Sequence, residues 1–296
     1  AAAFASKWQV IDQYTHTEEV PVYDDGGNIT SYTTRSNGLS VTLFEEIGTG
    51  KRHVAIRGTK VTDIGDLTAD GGLLLLGIPQ LSSQYQSLKS KIEAWQANDA
   101  LPGMLTVTGH SLGGWLAQGL AKDFEASIEH TYVYNAPGVG GVSLLDELLQ
   151  QLNEALGTSF LSAPNLANLT NLFASTDISP IPGIGLSLSP PIGILIEDQS
   201  FSDVSDPPSS YNHSQRVLTD SLAVYALFAG VSSALTVENI GTILNASGNR
   251  NAMTLEDAVN ALGDLFGAGT EIAGDGNLDD LYKRMQDTRG RWRIAA

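Results

Sequence analysis

The sequence predicts an α/β fold built on a central, mostly parallel sheet, and three observations carry that expectation. Apolar strand-like runs alternate with helix-period segments through the middle of the chain, four N-terminal runs separated by turn residues read as a β-meander, and the last quarter is helical. A length of 296 residues accommodates one large domain with decoration or two small ones. The pattern favours a core over 1–220 and a C-terminal helical extension packed on it over 221–296.

The elements follow in chain order. Between 18 and 57, Glu19–Tyr23, Ile29–Thr34, Leu39–Ile47 and Arg52–Arg57 read as strands, because Asp24-Asp25-Gly26-Gly27, Ser36-Asn37-Gly38 and Gly48-Thr49-Gly50 between them are turn chemistry. Over 83–98 the period changes, with Tyr85, Leu88, Ile92 and Trp95 at helical spacing. An apolar strand over 104–108 runs into Gly109-His110-Ser111-Leu112-Gly113 and a helical stretch over 114–122. Thr131–Tyr134 is the next strand, followed by Asn135-Ala136-Pro137-Gly138 and a helix over 142–156. Leu169–Ala174 and Ile192–Ile196 complete the strands. Helices are expected over 216–229, 237–244, 255–266 and 278–285, with Thr236 and Thr254 where N-caps belong.

Composition removes several functions. Acidic residues number 33 against 16 basic ones, and a net charge of −17 repels nucleic acid and anionic membrane surfaces. The absence of cysteine removes disulfides, thiol catalysis and zinc–thiolate sites. No apolar run approaches the roughly 18 residues of a membrane span, and no uncleaved signal peptide is expected at Ala1-Ala2-Ala3-Phe4. Asp275-Gly276-Asn277-Leu278-Asp279 begins like a calcium loop, but its sixth position is Asp280 rather than glycine and its twelfth is Gln286. No cofactor is therefore expected, and no motif indicates calcium.

The chemistry centres on Gly109–Gly113. A serine hydroxyl is a weak nucleophile, so it must project from a sharp turn with a base in reach and backbone N–H groups beside it. Glycines at 109, 113 and 114 make such a turn possible around Ser111, the candidate nucleophile. Of five histidines, His110 adjoins Ser111 and points away from it. His16 and His53 precede it, and His130 lies at the start of a strand. His213, in the polar loop Ser209–Ser214, is the candidate base. The acid belongs just past a strand end between the two, where Asp177 is the first candidate; Asp198, Asp203 and Asp206 are its competitors.

At several separate places the chain resembles the class 3 lipases, the α/β-hydrolases of fungal triacylglycerol lipase type. The places are Arg57-Gly58-Thr59 at a strand end, the elbow Gly109–Gly114, Ala136-Pro137-Gly138-Val139-Gly140 after the next strand, Asp177-Ile178-Ser179-Pro180, and the late-loop His213. The resemblance covers roughly 39–220 and implies an α/β-hydrolase fold and a Ser111–His213–Asp177 triad. It also implies an oxyanion hole from Thr59 and the Leu112 N–H, with a lid over about 60–82. Asn212–Tyr225 is also similar to the histidine segment of lipase-like domains in large secreted bacterial calcium-binding repeat proteins, which implies secretion. The calcium-binding nonapeptide repeats are absent.

Within the expected lid, Gly71-Gly72-Leu73-Leu74-Leu75-Leu76-Gly77 reads either as a hinged apolar flap that opens at an oil–water interface or as a buried helix wall. The expected activity is hydrolysis of acylglycerol-type lipid esters. The alternatives are a phospholipase A-type acyl hydrolase, a peptidase or thioesterase on the same machinery, or a non-catalytic binding module. Oligomeric state is left open.

Overall fold

A computed structural model describes residues 2–58, 78–139, 166–175, 187–197, 212–248, 253–269, 271–272 and 278–295. The chain divides into two compact units. The first is Ala1–Leu172 with Ile181–Pro191, and the second is Phe173–Pro180 with Ile192–Ala296. It is a mixed α/β protein with a central, mostly parallel sheet of seven strands.

In the first unit a single turn, α1 (Ala2–Ala5), leads into β1 (Trp8–Thr15). A hairpin of β2 (Glu18–Tyr23) and β3 (Ile29–Arg35) follows, then β4 (Ser40–Glu46) and β5 (Arg52–Ile56). Helix α2 (Ser83–Ala97) precedes β6 (Leu105–His110), α3 (Leu112–Asp123) and β7 (Ile128–Tyr134). The remaining strands are β8 (Leu169–Ser175), whose residues from Phe173 on belong to the second unit, and β9 (Pro191–Leu195), which belongs to the second unit from Ile192 on. The sheet order is β1-β4-β5-β6-β7-β8-β9. β1–β4 and β4–β5 pair antiparallel, whereas β5–β6, β6–β7 and β7–β8 pair parallel.

The strands expected from turn chemistry are present, but they do not form one meander. β2 and β3 pair only with each other, in a separate two-stranded sheet, while β4 and β5 belong to the main sheet. A strand has two edges, and β4 has given both: one to β5 and the other to β1, a strand that the turn pattern did not reveal. β1 sits at the sheet edge with mostly exposed side chains, so it lacks the clean apolar alternation that marks a half-buried strand. Its attachment lies elsewhere. Asp12 accepts from the Trp95 indole N–H at 2.8 Å and pairs with Lys91 at 2.9 Å, and Lys91 also lies over the rings of Tyr14 and Trp95.

Alternation then sorts the sheet faces. Val41, Leu43, Val54, Ile56, Leu105, Val107 and Val133 are buried, while the intervening Thr42, Phe44, His53, Ala55, Thr106 and Thr108 are half-buried. The predicted helical stripe Tyr85, Leu88, Ile92 and Trp95 joins that core with Leu116 and Leu120 of α3. Ser82 caps α2 by accepting from the Tyr85 N–H at 3.1 Å. Of the expected lid, only its end is described: Ile78 and Pro79 are buried, and Pro79–Leu81 form a single 3₁₀ turn. The leucine run at 73–76 and the helix expected over 142–156 lie outside the described residues.

The second unit carries α4 (Gln215–Val231), α5 (Val237–Gly248), α6 (Thr254–Leu265) and α7 (Leu278–Ala295). Val224, Leu227, Ile240, Leu244, Val259 and Leu281 are buried. Thr236 caps α5 as expected, exchanging bonds with Asn239: the Asn239 N–H donates to Oγ1 at 3.2 Å and the Thr236 N–H to Oδ1 at 3.3 Å. Thr254 is not the cap of α6. It is the first helical residue, Met253 takes the cap position, and Glu197 from beyond β9 accepts the Leu255 N–H at 2.8 Å instead. Arg284 on α7 is buried and donates to the Ala268 carbonyl, to the Gly269 carbonyl at 3.0 Å and to Asp264 at 2.8 Å. Those bonds satisfy carbonyls beyond the end of α6 that the helix leaves unpaired.

Glu197 also faces the buried carboxyls of Glu256 on α6 and Asp220 on α4. Asp220 in turn accepts from the Tyr282 hydroxyl at 2.9 Å and feels Arg216. Burial pushes Glu197 up from its ordinary 4.5 to about 7; Glu256 and Asp220 add to the rise and the Leu255 N–H opposes it. A carboxyl with a raised folded pKa binds its proton more tightly folded than unfolded. Its stabilisation is complete below 4.5 and is lost as pH rises through about 7. The thermal midpoint is therefore expected to fall across that window, and Glu197→Gln to flatten the fall. Parallel pH profiles for the two proteins would contradict this.

Candidate active site

The site begins with local sterics at the end of β6. A Cβ on Gly109 would lie 2.1 Å from the Gly113 carbonyl oxygen, and one on Gly113 would lie 2.3 Å from the Ile56 carbonyl oxygen. A Cβ on Gly114 would meet the Ala136 Cβ at 2.6 Å. Backbone therefore packs on backbone at Gly109 and Gly113 and on the Ala136 methyl at Gly114, an approach that only glycine permits. The chain passes from strand to helix through Ser111, which adopts φ 56° and ψ −128°. A positive φ on a non-glycine residue is strained by about 1–3 kcal/mol and persists only where its surroundings impose it.

Ser111 occupies the N-cap of α3, yet its side chain makes no capping bond. Serine at an N-cap ordinarily turns its oxygen onto the helix N–H groups. Here the backbone does that work: the Ser111 carbonyl accepts from the Gly114 and Trp115 N–H groups at 2.9 and 3.1 Å, and the Ser111 N–H donates to the Tyr134 carbonyl at 2.9 Å. The half-buried hydroxyl is thus held at the positive end of α3 without being spent on it. Leu112, the first residue of α3, is buried through its side chain, and its N–H, at the start of the helix, has no carbonyl of a preceding helical turn to bond.

The end of β5 completes this side of the site. Gly58, the last described residue before Thr59, lies against the turn: its Cβ would come 3.2 Å from the Ser111 Cβ and 2.5 Å from the His110 carbonyl oxygen. Thr59 itself, and Asp177, lie outside the described residues, as do the competitors Asp198, Asp203 and Asp206. His213 is described and buried, at 3% exposure, directly before Ser214, which caps α4 by accepting from the Val217 N–H at 3.4 Å. Ser111 and Leu112 belong to the first unit and His213 to the second.

Three other histidines have structural partners. His16 accepts from the Asn37 N–H at 3.3 Å, and His130 bonds Thr170 at 2.8 Å beneath the Tyr132 ring. His53 packs on Trp8, where burial lowers its pKa and favours the neutral ring. Pattern reading missed two buried polar residues, one directly after β7 and one on α3. Asn135 is fully buried at φ 46° and donates its N–H to the Leu172 carbonyl at 2.9 Å. Gln118, fully buried nearly two turns into α3, donates to the Pro137 carbonyl at 2.8 Å. The one available signal was Gln118 itself, a polar residue on the apolar stripe of a helix.

Among the described residues, no helix is long and apolar enough to cross a membrane, and no group of three or more His, Asp or Glu is placed to hold a metal ion. Fold and site together define an α/β protein that presents one serine on a strained strand-to-helix turn. No protein-family model matches the chain, and no curated protein matches it either.

Proposed function

We propose that the protein is a carboxylic ester hydrolase of the α/β-hydrolase type, related to the class 3 lipases, that works through an acyl-Ser111 intermediate. The observation that carries this reading is the Ser111 backbone, at φ 56° and ψ −128° on the N-cap of α3, with its hydroxyl excluded from capping. Strain at a residue whose side chain has no structural duty is the signature of a functional position.

In this mechanism the Ser111 Oγ attacks the ester carbonyl carbon while its proton passes to His213. The tetrahedral oxyanion sits at the N-terminus of α3, against the Leu112 N–H and the donor supplied by Thr59. Collapse expels the alcohol, which takes the proton from His213. Water then attacks the acyl-serine by the same route in reverse, releasing the acid. Asp177 orients His213 and stabilises its charged form. The leucine run at 73–76 favours acylglycerol-type lipid esters met at an oil–water interface, and secretion is part of the same proposal. A phospholipase A-type specificity uses the same steps.

Active-site labelling tests the reading. A fluorophosphonate probe is expected to modify the protein once, with the adduct on the Ser111 peptide, and to abolish hydrolysis of p-nitrophenyl esters. Ester hydrolysis that survives full labelling, or an adduct on another serine, would overturn it. Hydrolysis across esters of increasing chain length, in solution and as emulsions, distinguishes a lipase from a short-chain esterase.

A further inference from the structure

We infer that the groove between β9 and α5 in the second unit binds a small, neutral, polyhydroxylated ligand of monosaccharide size. The groove has a volume of about 330 Å³, at the lower end of the range of small-molecule sites, roughly 300–1,000 Å³. Its lining shares no residue with the Ser111 turn, and the inference does not depend on the hydrolase reading.

Two glycines shape it. Gly193 on β9 and Gly241 on α5 both line the groove and add no side chain of their own to its walls. A Cβ on Gly241 would stand 2.9 Å from the Tyr225 hydroxyl, so glycine there lets Tyr225 reach across and accept the Leu195 N–H at 3.1 Å. That bond shows which way β9 faces. β9 is last in the sheet order, and its Leu195 N–H turns to a side chain rather than to another strand. Gly193, two residues earlier, directs its peptide groups to the same side, so a backbone donor and acceptor border the groove.

The facing wall is polar. Glu238, Thr242 and Asn245 lie at i, i+4 and i+7 on one exposed face of α5. The Thr242 hydroxyl donates to the Glu238 backbone carbonyl at 3.0 Å, which leaves its oxygen as an outward acceptor. Asn245 offers a donor and an acceptor, and the Glu238 carboxylate accepts only. Among the described residues no lining side chain is cationic, so a phosphate or carboxylate ligand finds no counter-charge there. Glu238 is exposed, and a single exposed ion pair holds a cation weakly. The affinity this wall can supply comes from several hydrogen bonds at once, to groups that both give and accept. Adjacent hydroxyls on a small carbon skeleton are such groups.

The test is titration of the intact chain with glucose, galactose, mannose and glycerol, with propylammonium and inorganic phosphate as charged controls. Binding is read by saturation-transfer NMR and calorimetry. At least one sugar is expected to saturate, with affinity reduced about tenfold by Asn245→Ala and by Thr242→Val, the loss of one hydrogen bond each. Ser111→Ala leaves it unchanged. Both substituted side chains are exposed, and circular dichroism confirms that the variants fold. Failure of every sugar to saturate, sugar binding that neither variant weakens, or saturation by propylammonium or phosphate alone overturns the proposal.

Discussion

Replacing Ser111 with alanine is expected to reduce kcat for ester hydrolysis by at least about 10⁴-fold, the scale on which removing a nucleophile acts, while leaving the protein folded. The side chain takes no part in capping α3, so its loss deletes no bond that holds the turn. Alanine at a positive φ carries the same Cβ as serine, so the backbone strain is unchanged. The variant therefore separates chemistry from stability: hydrolysis disappears while the thermal midpoint stays within a few degrees. Wild-type rates in Ser111→Ala would refute the acyl-serine mechanism. A residual rate above the uncatalysed reaction is expected, because the α3 N-terminus still stabilises an oxyanion formed by direct attack of water.

Gly109→Ala is expected to have the largest effect on folding. Its added methyl carbon would stand 2.1 Å from the Gly113 carbonyl oxygen, 2.3 Å from the Gly113 carbonyl carbon and 2.6 Å from the Gly114 nitrogen. None of these atoms is the end of a flexible side chain. Relief requires α3 to move away from β6, and α3 is pinned by Gly113 against the end of β5 and by Gly114 against Ala136. A cost of at least about 3 kcal/mol follows, at the upper end of overpacking effects. It would be read as a drop of many degrees in melting temperature or as loss of soluble protein. Gly103→Ala is the control: a Cβ there meets nothing within 4 Å, and the midpoint should hold. A folded Gly109→Ala protein with wild-type activity would contradict the packing described for the turn.

How much was legible in the sequence differs between these features. The Ser111 turn was legible because its demands are local: glycines 109, 113 and 114 are required by atoms a few residues away or on the adjacent strand end. The α2 stripe was legible for a similar reason, since Tyr85, Leu88, Ile92 and Trp95 share one face through helical geometry alone. The separation of β2–β3 from β4–β5 was not legible. Turn residues mark where strands end, but strand partners are chosen by competition for edges, and β1 took the second edge of β4 with contacts to residues about eighty positions away. Thr254 shows the same limit at one helix end, where a carboxylate from a distant segment replaced the local cap.

The amino-acid sequence by itself determined the α/β class, the helical and extended segments, and the one position where a serine could be held in a strained turn, because periodicity and hard-sphere sterics act over a few residues. Tertiary structure decided which strands share a sheet and that buried Gln118 ties α3 to the segment after β7. It also decided that Glu197 keeps its proton to near neutral pH, and that a polar groove opens beside β9. Those outcomes depend on burial and on partners brought together from distant parts of the chain. Desolvation and hydrogen-bond satisfaction are properties of the packed arrangement, not of any single segment.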